Sequence, residues 1–403
     1  MTKEVKEKYG LPTMLAVLSV SLLLTSANVI NGILPQVGKG LGVSNAAAEL
    51  LVTTPSLTAL ITLIASPALA RFFGLKRVIG FGVLLVGISG IVPMFVSSYP
   101  LIMASRVVLG LGLGCYNSLA VTIIQIMWKG NVRSSLLGIR GAFENIGQMI
   151  MTSLVGLLIS FVGWQGSFVV YLLAIASLVW FWLAVPDVKM IDENDDDDDP
   201  DDKFAAKTSP IAPLLVAFAA AYLIAMQSGF VRWAAVTQEA MGSDFNTSSI
   251  ISIGVGAGII AGFAFGPINK FLGRMNTLYL GIAIEAAGCF LLYFANGNYP
   301  MLVAAIICFY VPGSILGPWI FNQLPKYAPK SKQAFWSAAV MIGFHVGIFL
   351  APLAMSAIEA VSGSKDLAVS FLPFGIALVL IIVGVFVYTT FFAKRAKTAA
   401  VEA

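Results

Sequence analysis

Twelve runs of apolar residues, each about as long as a bilayer is thick, constrain this chain more than any motif in it. They cover 12–36, 47–70, 76–97, 100–127, 134–160, 165–185, 210–239, 248–270, 275–295, 299–323, 334–360 and 367–393. A helix needs about 20 mostly apolar residues to cross the hydrocarbon. In lipid every backbone polar group must be satisfied within the segment, so such runs form helices. The period-two alternation of a barrel strand does not occur. Of the chain's residues, 58% are hydrophobic and only 11% charged, where a soluble domain carries about a quarter charged. A disordered chain, a nucleic-acid binder and an ordinary cytosolic enzyme are excluded. The expected fold class is an all-α membrane protein of twelve transmembrane helices.

Positive charge sets the expected orientation. Of the 24 Lys and Arg, Lys39 and Lys365 fall in loops on one side, and Arg106, Arg140 and Arg232 fall within spans. The other 19 all lie on the opposite side if both termini are there. That side is therefore expected to be cytoplasmic, in a multi-pass protein of the cell membrane. The start of the first span lacks a short apolar core with a small-residue cleavage site, so it reads as a retained helix.

The chain divides near its middle. Ten of the 20 acidic residues lie between Asp187 and Asp202, a run that repels itself and stays solvated. The expected organisation is a six-helix bundle over 1–186, an acidic linker over 187–208 and a second bundle over 209–403. The halves repeat one another. Arg71, Phe72 and Gly74 match Lys270, Phe271 and Gly273 at a spacing of 199; Asn145 and Gly147 match His345 and Gly347 at 200. Such repeats mark transporters built from two pseudo-symmetric bundles.

Twelve spans, a six-plus-six repeat and a basic, glycine-containing loop after spans 2 and 8 resemble the major facilitator superfamily over essentially the whole chain. The family's loop signature runs Gly-x-x-x-Asp-Arg-x-Gly-Arg-Lys. Here Pro67, Arg71 and Phe72 replace its first three fixed residues, whereas Gly74, Lys76 and Arg77 fit. The span 4 signature, Arg-x-x-x-Gly, is present as Arg106 to Gly110. The antiporter signature of span 5 is degraded, with Thr152 where a proline would stand. The resemblance implies a gating loop at Arg71, Gly74, Lys76 and Arg77, repeated at Lys270, Gly273 and Arg274. It implies that spans 1, 4, 7 and 10 line a central cavity, that Arg106 serves gating or proton relay, and that the protein acts as a monomer.

Ionisable residues inside spans are costly and are functional candidates by default. Arg140, Glu144, Gln148 and Thr152 recur every fourth residue and form one polar stripe, widened by Asn145. A solute that competes for Arg140 would change the proton affinity of Glu144, a physical route to proton coupling. The same stripe is also compatible with a static ion pair. Arg106 needs a carboxylate, carbonyls or a ligand, and Glu144 is one possible partner. Gly110, Gly114 and Ser118, in register with it, suit close helix packing. His345 is the only histidine and its chemistry suits proton transfer. Proton-coupling candidates are thus Glu144, Arg106 and His345. Asn28, Asn31, Asn117, Arg140, Asn145, Gln148, Gln227, Arg232, Trp319 and Asn322 are candidates for substrate contact, with Arg232 expected to be shallow. Glu285 reads as locally paired or neutral.

Neither a phosphate-binding loop nor a nucleophile–base pair nor a metal cluster stands out, so no cofactor or metal and no enzyme activity is expected. Cys115, Cys289 and Cys308 lie singly in apolar runs. The expected partners are the lipid bilayer, a small-molecule substrate and protons, with no nucleic acid. The leading expectation is a proton-coupled secondary transporter of an anionic or zwitterionic solute, working by alternating access. The alternatives are a multidrug or metabolite exporter and, remotely, a membrane solute sensor.

Overall fold

The computed structural model describes residues 10–128, 130–188, 207–242, 245–329 and 333–389. Of the acidic connector, 189–206 lie outside the described residues. Among the described residues the chain is helical and contains no strand. The first span, α1, is two pieces, Leu11–Leu23 and Ser26–Leu41, meeting at 47°. It is followed by α2 (Asn45–Phe73), α3 (Leu75–Ile91) and α4 (Tyr99–Met127). The long stretch Gly130–Gly166 breaks at Gly163. That break separates α5, residues 130–162, from α6, which starts at 164 and ends with Leu172–Ala184. The second half contributes α7 (Ile211–Met241), α8 (Thr247–Leu272), α9 (Arg274–Phe294), α10 (Tyr299–Tyr327), α11 (Gln333–Ser362) and α12 (Phe371–Val387). These twelve helices follow the twelve apolar runs in number and order, with ends shifted by a few residues.

Glycine punctuates both halves alike. Gly42, Gly74 and Gly163 have positive φ, and so do Gly242, Gly273 and Gly363, at spacings of 199 or 200. Each pair ends equivalent helices, α1 and α7, α2 and α8, α5 and α11. A Cβ at any of the six would touch nothing beyond its chain neighbours. The requirement is therefore the left-handed backbone itself, which glycine adopts without steric cost.

Packing repeats as well. Within the first bundle α2 and α3 lie against α4, and α3 against α6; within the second α8 and α9 lie against α10, and α9 against α12. Across the bundles, α5 meets α8 and α2 meets α11. Gly147 lets α5 approach the backbone of α1 at Leu22, and Gly347 lets α11 approach α7 at Ala220 and Leu223. The α2–α4 contact is a ladder. Thr58 donates to the Val107 carbonyl (3.1 Å), Thr62 to that of Leu111 (2.7 Å), and the hydroxyls of Ser66 and Ser118 are 2.9 Å apart. Gly110 and Gly114 present bare backbone to the same helix, where a Cβ would run into the main chain at Pro55 and Ala59. Their four-residue spacing brings the two helices into backbone contact.

The bend in α1 has a local cause. Thr25 leaves helical geometry (φ −100°, ψ 13°), and its hydroxyl donates to the Glu144 carbonyl of α5 at 3.3 Å. Ser26 and Asn28 follow at once, residues whose side chains compete with the helix for backbone groups.

Candidate functional site

Polar side chains from α1, α4, α5, α7 and α10 converge at mid-depth, where the bundles face each other. On α5, Arg140 Nη1 lies 3.9 Å from Glu144 Oε2, with 14% and 33% of the two side chains exposed. Arg140 Nη2 donates to Asn117 of α4, to Oδ1 at 3.0 Å and to the carbonyl at 3.3 Å. Its Nε meets no acceptor. Arg140, Glu144 and Asn117 thus form a connected set. The pair is too long for a direct hydrogen bond, so the guanidinium retains capacity for a further anion.

One turn deeper, Gln148 Nε2 donates to the Tyr310 hydroxyl of α10 at 3.1 Å, joining the bundles. Tyr310 stacks on Phe230 of α7, with ring centroids 4.2 Å apart. Gln227 Nε2 of α7 donates to Asn28 Oδ1 of α1 at 3.4 Å. Asn31 is fully buried on α1 and neither of its amide atoms has a partner. Asn145 turns back onto its own helix, donating to the Gly141 carbonyl at 3.1 Å. Asn322 is exposed on α10, towards the end where the described chain starts at Gly10 and stops at Thr389.

Further from the termini, more ties join the bundles. Ser153 and Ser252 bring their hydroxyls to 2.9 Å, Asn246 Nδ2 donates to the Gly156 carbonyl at 2.9 Å, and Thr247 donates to that of Gly32. Arg232 lies at this level, towards the outer end of α7, but is only 1% exposed and so turns inward rather than out to the membrane surface. It donates to Glu49 of α2 through Nε and, at 3.1 Å, Nη2. Its Nη1 donates to Glu359 of α11 and to the Leu367 carbonyl at 3.3 Å. With its donors engaged in this way, Arg232 ties α7 to α2 across the bundles and to α11 within its own.

Arg106 does not meet Glu144. It is fully buried, donates to the Tyr171 hydroxyl at 3.0 Å, and lies over the rings of Phe168 and Tyr171 at 5.1 and 5.5 Å. Tyr171 in turn donates to the Ser26 carbonyl, freed beside the bend of α1 (2.7 Å). The guanidinium thus lies over two aromatic faces, while its Nε and Nη2 meet no acceptor. His345 is half-buried, its Nδ1 2.8 Å from the Met341 carbonyl one turn back. Trp319 donates to the Arg274 carbonyl at 2.7 Å, bracing the α8–α9 turn from α10. Glu285 is fully buried on α9, and neither carboxyl oxygen has a hydrogen-bond partner.

Gly74 and Gly273 make the turns; Arg71, Arg77 and Lys270 are exposed, and Lys76 and Arg274 half-buried. Sequence reasoning missed Glu49, Glu359, Tyr310 and Tyr171. A signal existed for the acids, which fall inside the runs 47–70 and 334–360. Among the described residues no group of three metal-ligating side chains occurs.

A family model described as Major Facilitator Superfamily matches residues 16–352. Curated protein sequences yield no significant match. Solved structures of similar fold include the nucleoside transporter NupG, with TM-score 0.77 and 12% identity over 93% of this chain and 98% of that one. A POT family transporter in complex with 5-aminolevulinic acid gives 0.75 and 12%, covering 96% and 99%. The xylose transporter XylE from E. coli, in a partially occluded inward-open conformation, gives 0.69 and 14%, covering 94% and 98%.

Proposed function

The chain belongs to the major facilitator superfamily, and from that premise we propose that it is a proton-coupled secondary transporter of a small anionic or zwitterionic solute. The observation that carries this reading is the Arg140–Glu144–Asn117 set. A solute carboxylate docking on Arg140 takes the place of Glu144 as its counter-charge. A carboxylate deprived of its cation in a low-dielectric setting binds a proton more readily. Solute binding and proton binding then reinforce each other.

The placement of the ties supports alternating access. Gln148–Tyr310, Asn246–Gly156 and Glu49–Arg232 hold the bundles together from mid-depth outward, while Glu144 keeps a third of its side chain exposed. This supports a state open towards the face that carries the termini, with the bundles rocking about the mid-depth site. By the distribution of Lys and Arg, that face is the cytoplasmic one. The protein sits in the cell membrane as a monomer, with the acidic 187–208 segment linking the bundles.

The test is binding followed by transport. Purified protein is melted against organic anions, zwitterions and lipophilic cations; a ligand at a hundred times its Kd stabilises by about 2.7 kcal/mol. Carboxylate solutes such as 5-aminolevulinic acid, bound by one structural neighbour, come first. Hits are then assayed for uptake into proteoliposomes with and without a proton gradient. Stabilisation by carboxylates that R140Q abolishes supports the reading. Stabilisation by lipophilic cations alone, dependent on Glu144, replaces it with drug export, and binding without counterflow replaces it with a sensor.

A further inference from the structure

On the outer surface of the first bundle, a groove of about 440 Å³ runs between α3 and α6 at the end nearest the termini. Its walls are apolar, with Phe81, Val179 and Leu183 exposed, as suits a lipid-facing surface. Its floor is Gly80, which faces the Trp182 ring so closely that a Cβ there would come within 2.9 Å of the indole. Two cations stand at its membrane-surface end. Arg77 lines it, and Lys76 Nζ lies 5.2 Å from the centre of the Trp182 ring.

The second bundle provides an internal comparison. At the repeat spacing of 199, Met275 and Asn276 occupy the places of Lys76 and Arg77, and Tyr279 occupies that of Gly80. Tyr279 packs against α12, its ring 6.4 Å from Phe386 and its hydroxyl 3.2 Å from Thr389 Oγ1. One bundle thus places a glycine beneath paired cations where the other places a large ring beneath neutral side chains.

We propose that the α3–α6 groove binds one anionic phospholipid, an acyl chain lying over Gly80 against Trp182 and the phosphate held by Lys76 and Arg77. An apolar floor facing the hydrocarbon under two cations at headgroup depth matches the two parts of such a lipid. Basic pockets between transmembrane helices recognise anionic headgroups in this way, and a tryptophan at the same depth marks the interface. The Lys76 and Arg77 pair of the loop signature then has a lipid partner in addition to any part in gating.

The test uses the full chain in phosphatidylcholine vesicles containing a small, fixed fraction of either dibrominated phosphatidylglycerol or dibrominated phosphatidylcholine. Bromine quenches nearby tryptophan fluorescence, and subtracting the W182F signal isolates Trp182. The glycerol lipid is expected to quench Trp182 several-fold more effectively than the choline lipid. The K76Q/R77Q variant is expected to lose about fivefold in preference for each cation removed. Inorganic phosphate in the medium is expected to leave the quenching unchanged. Equal quenching by the two lipids in the wild type overturns the proposal. So does a preference that survives K76Q/R77Q in protein whose melting shows it folded. Displacement by inorganic phosphate reassigns the cations to a soluble anion and equally overturns it.

Discussion

Arg232 of α7 reaches across to the other bundle and grips Glu49 of α2 with two donors, Nε on Oε1 and Nη2 on Oε2. Its remaining terminal nitrogen is held by Glu359 of α11, within Arg232's own bundle. The arginine is therefore paired on both sides of the interface, whereas Glu49 has its partner only across it. Breaking a buried ion pair by removing one member costs about 3–5 kcal/mol. Arg232→Gln, which leaves two acids without a cation, is expected to destabilise by that order; Glu49→Gln, which leaves Arg232 with Glu359, by less. Thermal melting of the two variants checks the ranking.

Glu49→Gln is also expected to favour separation of the bundles at the end away from the termini. Ser248 is buried there against Gly32 and Gly156. A cysteine placed at Ser248 is expected to react faster with a water-soluble maleimide when combined with E49Q than in an otherwise wild-type chain. Equal rates would show that the Glu49–Arg232 pair does not hold that end shut.

Arg140 and Glu144 are expected to separate binding from coupling. Hydrogen bonds to charged groups contribute about 1.5–3 kcal/mol, so Arg140→Gln is expected to weaken solute binding roughly 10- to 100-fold. Glu144→Gln mimics the protonated acid. It is expected to keep binding and solute exchange while losing uptake driven by a proton gradient. Exchange and gradient-driven uptake in the same proteoliposomes distinguish the two effects.

Glycines of similar sequence setting are expected to respond in opposite directions. A Cβ at Gly114 would fall 2.9 Å from the Ala59 carbonyl carbon, whereas one at Gly256 would meet open space. Gly114→Ala overpacks the α2–α4 contact, at a cost of about 1–3 kcal/mol. Gly256→Ala gains helix propensity, up to about 1 kcal/mol. Melting temperatures of the two variants give the signs directly.

The fold was largely legible in the amino-acid sequence, because apolar length and charge distribution are local properties. The repeat was legible through Gly74 with Gly273 and Gly147 with Gly347. The polar stripe of α5 was legible through its four-residue period, and Arg140 with Glu144 followed from it. The pairing of Arg232 was not. Its acids are separated from it by 183 and 127 residues, and no periodicity connects α7 to α2 or α11. Arg106 misled for a related reason. A span arginine suggests a carboxylate, carbonyls or a ligand, yet Arg106 lies over the rings of Phe168 and Tyr171, aromatic residues indistinguishable in sequence from ordinary packing. Asn145 widened the stripe but bonds to its own helix, donating to the Gly141 carbonyl.

The ladder of Thr58, Thr62 and Ser66 against α4 has a mechanical consequence. Two rods bonded at three successive levels cannot slide or splay independently, so α2 and α4 behave as a single plank. One end of that plank holds Glu49, gripped by Arg232; further along it stands Asn117, gripped by Arg140. A rigid body that tilts about its middle moves its two ends in opposite senses. A tilt of α2 and α4 as one body therefore carries Glu49 and Asn117 together, the one on the contact with Arg232 and the other beneath Arg140.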